Sequence, residues 1–162
     1  MDQAMDGDSG MSVEDRLAEL GLALPSAAAP AANYVPFVEA GGLLHISGQI
    51  PFDASGALVL GRLGETMDVE AGKAAAARCA LGIVAQLKAA TGDFARVARI
   101  VKLNVFVNSA PGFTQQPEVA NGASDLMVAL FGEAGRHARS AVGVAVLPRG
   151  VAVEVDAIVA LA

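Results

Sequence analysis

The run of small residues between Asp68 and Gly92 is the feature that most constrains how this chain can fold. Asp68, or Thr66 before it, is a typical N-cap, and Gly92 is a typical helix stop, so the pattern predicts a long helix that ends near Ala90. Its apolar positions recur at helical spacing: Ala76, Ala80, Ile83, Val84 and Leu87. Because this helix is rich in small residues, it can lie very close to a sheet.

Alternating apolar and polar segments surround this helix and predict that sheet. The predicted strands are Tyr34–Val38, Leu43–Ile50, Val97–Val107, Arg139–Leu147 and Val151–Leu161, with a brief pairing at 57–60. A second helix is expected over 117–131. The first two strands and the last two strands each read as hairpins, the latter through Pro148-Arg149-Gly150. The order ββαβαββ predicts an α+β fold, a two-layer sandwich with a mixed sheet and two main helices on one face.

The alternation also predicts which side chains share a face of the sheet. One face of the second strand carries His45, Ser47 and Gln49, and the other carries Leu44, Ile46 and Ile50. In the third strand the predicted apolar face is Val97, Val101, Leu103, Val105 and Val107, with Lys102 and Asn104 opposite.

The N-terminal part of the chain has a different character from the remainder. Residues 1–11 are polar and acidic, and we expect them to form a disordered leader. Ser12 and Asp15 have the spacing of a capping box, which predicts a short helix ending at Gly21. Residues 12–32 are thus a helical extension and connector within a single domain over 12–162.

The charge distribution argues against nucleic acid as a partner. The chain carries a net charge of −6, and five of its carboxylates lie in the first fifteen residues, which contain no Lys or Arg. The remaining residues therefore carry a net charge of only −1, without the basic surface that phosphate binding needs. With one Tyr, six Phe and no Trp, a stacking platform for single strands is also unexpected.

The sequence also argues against several other classes of protein and of functional site. A single cysteine, Cys79, excludes an internal disulfide, and no cluster has the spacing of a zinc site. No apolar stretch is long enough to span a membrane and the acidic N-terminus does not resemble a signal peptide, so we expect no membrane partner and a cytoplasmic location. No nucleotide-binding, serine-hydrolase or zinc-protease motif is present.

The last two strands carry the strongest candidate site. Arg139 shares a strand face with Ala141 and Gly143, whose small size leaves space beside a guanidinium that suits a carboxylate. Glu154 and Asp156 share a face of the next strand. A cation and carboxylates are therefore expected on neighbouring strands, although Arg139 pairing with Glu154 or Asp156 as simple charge compensation is an alternative.

Weaker candidates lie elsewhere and each has a structural alternative. Ser47 and Gln49 form either a polar site or a solvated edge. Tyr34, the only tyrosine, is compatible with simple packing, and His45 and His137 are compatible with ordinary half-buried or surface histidines.

These motifs resemble the RidA/YjgF family, also called L-PSP endoribonuclease-like. The segments that carry the resemblance are His45-Ile-Ser-Gly-Gln-Ile-Pro51, Ala138-Arg-Ser-Ala-Val142, Leu147-Pro148 and Val153-Glu154-Val155, and it spans roughly residues 33–162. The helical prefix is similar to a longer branch of the family. The resemblance implies a chorismate-mutase-like fold, a homotrimer with clefts between subunits, and hydrolysis of enamine or imine intermediates to 2-keto acids and ammonia without metal or cofactor.

The resemblance also implies roles for individual residues. Arg139 would bind the substrate carboxylate and Glu154 would orient or activate water. Tyr34, Ser47, Asn121 and the backbone N–H of Ala141 would line the pocket. Ala141 stands where the archetype has cysteine, so no thiol chemistry is expected there.

Three functions remain open from the sequence. The first is a cofactor-free imine deaminase acting on small carboxylates. The second is a trimeric module that binds a small carboxylate without turnover, for which Glu154 would matter less. The third, an endoribonuclease or translation inhibitor, fits poorly with a net charge of −1 outside the acidic leader.

Overall fold

A computed structural model of the chain describes residues 10–162. The expected disordered leader therefore lies almost wholly outside the described residues. The elements are α1 (Val13–Glu19), β1 (Phe37–Ala40), β2 (Leu43–Gln49), α2 (Val69–Thr91), β3 (Val97–Asn108), α3 (Gln116–Phe131), β4 (Ala138–Val144) and β5 (Val153–Leu161). Short 3₁₀ turns occur at 94–96, 132–135 and 148–150.

Local capping signals define α1 and α2 as the sequence predicts. The Asp68 side chain accepts a hydrogen bond from the N–H of Ala71, and Gly92 ends α2 with a φ of 69°. In α1 both hydrogen bonds of the Ser12–Asp15 capping box are present. These caps satisfy backbone groups that a helix end otherwise leaves unpaired.

One five-stranded sheet has the order β1-β2-β5-β3-β4. β1 and β2 form the expected antiparallel hairpin, β5 pairs antiparallel with both β2 and β3, and β4 pairs parallel with β3 at the edge. The predicted hairpin of the last two strands is wrong, because β3 lies between β4 and β5. The Pro148-Arg149-Gly150 turn belongs instead to a connection that crosses β3.

Helices α2 and α3 cover one face of the sheet, here called the helix face. The core between them is built from aliphatic side chains such as Ile83, Leu87, Leu103, Val105 and Met127, all essentially buried. Cys79 is also buried there, as its helical position suggested. Residues of the five strands with the opposite orientation form the open face, which no helix of residues 10–162 covers.

Register shifts in β2 and β3 change the faces that simple alternation predicts. In β2, Ile46 pairs with Ala157 but Gln49 pairs with Val155, so β2 contains one extra residue near Ser47 and Gly48. Gln49 is consequently buried on the helix face against Gly82, and its predicted place beside His45 is wrong.

Besides a register shift between Val97 and Arg99, β3 has a bulge between Ile100 and Lys102. It makes Val101 the extra residue and places Ile100, fully buried, in the core position that alternation assigns to Val101. Leu103 and Val105 are on the helix face as predicted, and Lys102 is on the open face.

The first strand begins later than the sequence predicts. β1 starts at Phe37, whereas Tyr34 lies in a bend in which its N–H donates to the carbonyl of Ala32. Pro36 has no N–H for a strand ladder, which is consistent with the later start. Near residues 57–60 the expected brief pairing consists of two isolated bridges, Phe52 with Leu58 and Leu60 with Val151.

The N-terminal extension packs onto the helical layer. Leu17 of α1 is buried in the core, and Glu14 forms an ion pair with Lys88 of α2 at 2.9 Å. Within residues 10–162, no helix combines the length and apolar character needed to cross a membrane.

Helices α2 and α3 approach each other so closely that one glycine is obligatory. A Cβ on Gly122 would overlap the backbone carbonyl of Lys73. We therefore predict that Gly122→Ala lowers the free energy of unfolding by about 1–3 kcal/mol, measured in urea at fixed protein concentration. Asp125→Ala, an exposed change in the same helix, should shift it by less than about 0.5 kcal/mol. Stabilisation by Gly122→Ala, as helix propensity alone would give, would contradict this packing.

Candidate functional site

Arg139 lies on the edge strand β4 and is held by α3. Its register partner is Leu103, so its side chain is on the helix face. Nη1 donates to the Asn121 side-chain oxygen at 2.9 Å and to the Ser124 hydroxyl at 3.1 Å, and Nη2 donates to the Pro117 carbonyl at 3.3 Å. Three acceptors on one helix thus fix the orientation of the guanidinium.

The helix supplies both side-chain acceptors because Asn121 and Ser124 are three residues apart in α3. This spacing places both side chains on one side of a helix. Asn121 was expected beside Arg139 from the family resemblance, whereas Ser124 was missed. The signal that was available for Ser124 is its position one turn after Asn121.

A hydrogen-bonded chain continues from Ser124 to His137. The Nδ1 of His137 lies 2.6 Å from the Gly135 carbonyl and must donate to it, so in the neutral ring Nε2 accepts from the Ser124 hydroxyl at 2.9 Å. Burial lowers the pKa of His137, the Arg139 charge lowers it further, and the Gly135 carbonyl opposes both. Neutral His137 therefore orients the Ser124 hydroxyl, whose oxygen accepts a hydrogen bond from Arg139.

Glu154 belongs to a different part of the molecule. It lies on β5 opposite Phe106, on the open face, with its carboxyl group packed directly over the bulge residue Gly48. A side chain on Gly48 would overlap that carboxyl group. Glu154 lines a cavity of about 240 Å³ together with Tyr34, Ser47 and Arg149.

The bulge in β2 also builds the other wall of this cavity. The Ser47 hydroxyl donates to the Val35 carbonyl at 2.7 Å, and the Ser47 N–H donates to the Pro36 carbonyl at 2.9 Å. These bonds hold the segment that carries Tyr34 against the cavity. Tyr34 is about half exposed.

The electrostatic environment of Glu154 favours its protonated form. Partial burial raises the pKa of Glu154 above the ordinary value of 4.5, and the nearby Asp156 carboxylate raises it further. Asp156 accepts a hydrogen bond from Asn104 at 2.7 Å. A carboxyl group with a raised pKa is a better proton acceptor once ionised than an ordinary glutamate.

The structure does not bring Arg139 and Glu154 together within one chain. They lie on opposite faces of the sheet, and β3 separates their strands. The expectation of a cation and a carboxylate meeting on neighbouring strands is therefore wrong. So is the alternative that Arg139 pairs with Glu154 or Asp156 for charge compensation.

The space expected beside Arg139 along β4 is also partly filled. A Cβ on Gly143 would meet the Gln116 side-chain nitrogen at 2.7 Å and the Ser109 hydroxyl at 3.0 Å. Ala141 packs against the core on the same face as Arg139. The space beside the small residues of β4 is therefore occupied by other side chains of the same chain.

A second cavity of about 600 Å³ lies beneath residues 21–26 and shares four lining residues with the first: Ala28, Gln49, Ile50 and Phe52. Its one arginine, Arg78, donates Nε to the Phe52 carbonyl. Asp53, its only carboxylate, is occupied by Ser55 and by the N–H of Ala57. Within residues 10–162, no three His, Cys, Asp or Glu side chains are grouped to hold a metal ion.

Comparison with known proteins gives a consistent result over most of the chain. A family model described as "YjgF/chorismate mutase-like, putative endoribonuclease" matches residues 14–159. The protein TCP17 of Trypanosoma cruzi is 59% identical over 150 residues, covering 92% of this chain and 94% of that protein.

Solved structures of related proteins support the same family assignment. A crystal structure described as a putative endoribonuclease from Shewanella oneidensis superposes with a TM-score of 0.90 at 37% identity, covering 93% of this chain and all of that one. RidA from an Antarctic Psychrobacter superposes with a TM-score of 0.56 at 32% identity, covering 85% and 97%. The larger TM-score of the first is consistent with the longer branch that the helical prefix suggested.

The raised pKa of Glu154 predicts a measurable titration. We expect its carboxyl carbon to titrate above 4.5 by NMR, and Asp156→Asn to move that pKa down but not below 4.5, because burial remains. The folded state then binds this proton more tightly than the unfolded state does. The free energy of unfolding should fall as pH rises from 4.5 through the folded-state pKa, and Glu154→Gln should remove that fall. A Glu154 pKa at or below 4.5 would contradict the described environment.

Proposed function

Since this chain belongs to the YjgF/chorismate mutase-like family, we propose that it hydrolyses small enamine or imine acids to 2-keto acids and ammonia without a metal or cofactor. The observation that carries the proposal is the half-buried Glu154 carboxyl group, with its raised pKa, in a cavity also lined by Tyr34 and Ser47. That arrangement suits a general base acting on water. RidA is among the proteins to which the chain is similar.

Imine hydrolysis requires the protein only to position the substrate and to supply one general base. An iminium carbon is already electrophilic, so water attacks it when a carboxylate removes the water proton. The C–O bond forms, and the C=N π electrons move to nitrogen. The Glu154 carboxyl group then returns its proton to the amine nitrogen, and the C–N bond breaks as ammonia leaves. The hydroxyl proton passes to the Glu154 carboxylate as the carbonyl of the keto acid forms, and Glu154 releases that proton to solvent.

Arg139 supplies the complementary binding group in this proposal. Its guanidinium is held by Asn121, Ser124 and Pro117, so little side-chain freedom is lost when it binds a substrate carboxylate. A charge-assisted pair of this kind contributes about 1.5–3 kcal/mol. It would fix the reacting carbon relative to Glu154.

Arg139 and Glu154 act on one substrate only if they come from different copies of the chain. They lie on opposite faces of one sheet, and the open face carries apolar side chains such as Val38 and Val142, each about half exposed. A second copy packed on that face would bury them. We propose a homotrimer with three sites between subunits, the assembly that the family resemblance implies.

Two alternatives are separable from this proposal. Binding of a carboxylate without turnover needs Arg139 but gives Glu154 no chemical task, so its raised pKa favours the hydrolase. An RNA substrate, as the endoribonuclease descriptions of relatives suggest, requires a basic surface. The charge outside the first fifteen residues is only −1.

We predict that the purified protein accelerates 2-keto acid release from 2-aminoacrylate and related imines generated by an enzyme in the assay. Glu154→Gln should lower kcat by about 10²-fold or more, as removal of a general base does. Arg139→Ala should lower kcat/KM by about 10- to 100-fold through lost carboxylate binding. The acid limb of the pH profile should lie above pH 4.5, because Glu154 must be ionised and its pKa is raised.

The exposed ion pair Arg136–Glu133 gives matched controls. Arg136→Ala and Glu133→Gln remove the same charges without touching either half of the site, and both should leave the rates unchanged. Retained keto-acid binding with no acceleration over a broad imine panel would replace the hydrolase by the binding module. A monomer in sedimentation would contradict the shared site.

A further inference from the structure

The cavity that contains Glu154 holds one more charged side chain, to which neither the sequence nor the proposed reaction assigns a task. Arg149 lines it, in the 3₁₀ turn between β4 and β5, and is the only Lys or Arg of residues 10–162 among its lining residues. Arg139 does not line this cavity. Each half of the proposed site therefore has its own arginine.

The backbone at Arg149 has an unusual conformation for its residue type. Its φ of 61° makes it the only residue other than glycine with a positive φ between residues 10 and 162. Glycine adopts this region freely, whereas a residue with a Cβ is strained there. The turn is fixed by two bonds of Gly150, whose N–H donates to Leu147 and whose carbonyl accepts from Gly61. Strained residues of this kind concentrate at binding sites.

The guanidinium of Arg149 is available to a ligand. Within residues 10–162 it makes no hydrogen bond or ion pair, whereas Arg62, Arg78, Arg96, Arg99, Arg136 and Arg139 each make at least one. It forms no ion pair with Glu154 either, although both line the same cavity. Arg149 is exposed, and no ion pair with it neutralises the Glu154 carboxyl group.

We propose that Arg149 binds a second carboxylate of the substrate, so that this protein prefers imines of short dicarboxylic amino acids over monocarboxylic ones. This rests on the proposed function. Arg139 of the neighbouring copy binds the carboxylate next to the imine carbon, and Arg149 binds the distal carboxylate. A cavity of about 240 Å³ has room for a short dicarboxylate.

The kinetic test compares two imines generated by amino-acid oxidases, one from aspartate and one from alanine. Arg149→Ala should raise KM for the aspartate-derived imine by about 10- to 100-fold, with kcat little changed, and should change KM for the alanine-derived imine less than about twofold. Arg149→Gly keeps the turn without strain and should show the same loss with an unchanged or higher melting temperature. That result separates lost binding from lost folding. Arg136→Ala should keep the wild-type preference.

A ligand-binding experiment tests this inference independently of the proposed reaction. Succinate and butyrate, used as matched probes in NMR titrations, should differ at least about tenfold in Kd for the wild-type protein, and Arg149→Ala should abolish that difference. If the wild-type protein turns over no imine but keeps an Arg149-dependent preference for succinate, the second carboxylate site stands and the deaminase proposal fails. If it hydrolyses imines with no Arg149-dependent preference for the dicarboxylate, the inference is overturned.

Discussion

Side chains alternate across the strands of the sheet, and this alternation separates the two groups that the chemistry would need. Arg139 is in register with Leu103 on the helix face, and Glu154 is in register with Phe106 on the open face. β3 is regular between these positions, so no local adjustment brings the two side chains together. A single copy of this chain therefore keeps the two halves of the proposed site apart, and any joint action of Arg139 and Glu154 requires a second copy.

The small residues determine how the two half-sites are built. Gly122 lets α3 pack against the backbone of α2, which places α3 where Asn121 and Ser124 reach Arg139. Gly48 leaves room for the Glu154 carboxyl group over the β2 bulge. Small residues in this Ala- and Gly-rich sequence thus allow the close approaches that position the Arg139 guanidinium and the Glu154 carboxyl group.

Local signals made much of the fold predictable, and non-local pairing limited the rest. Asp68 and Gly92 delimit α2 because caps act within a few residues. The hairpin at Pro148–Gly150 was wrongly predicted because nothing near it reveals that β5 inserts between β2 and β3. A bulge is equally invisible, since one extra residue moved Gln49 to the helix face without changing the local pattern.

The candidate site was likewise predictable where the signal is local or carried by the family resemblance, and not where it depends on packing. The proximity of Asn121 to Arg139 was expected from the family resemblance, and Glu154 and Asp156 do share a face as alternation predicts. The contribution of Ser124 depends on how α3 packs on β4. The contribution of Arg149 depends on a backbone conformation and a cavity, neither of which the sequence pattern indicates.

Subunit mixing tests the shared site most directly. Arg139→Ala and Glu154→Gln chains, each strongly impaired alone, are dissociated together and reassembled at equal amounts, and imine hydrolysis is measured at low substrate concentration. If each site takes Arg139 from one copy and Glu154 from another, random assembly restores about one quarter of the wild-type sites. No recovery in reassembled mixtures, with wild-type chains recovering full activity under the same treatment, would contradict a site shared between copies.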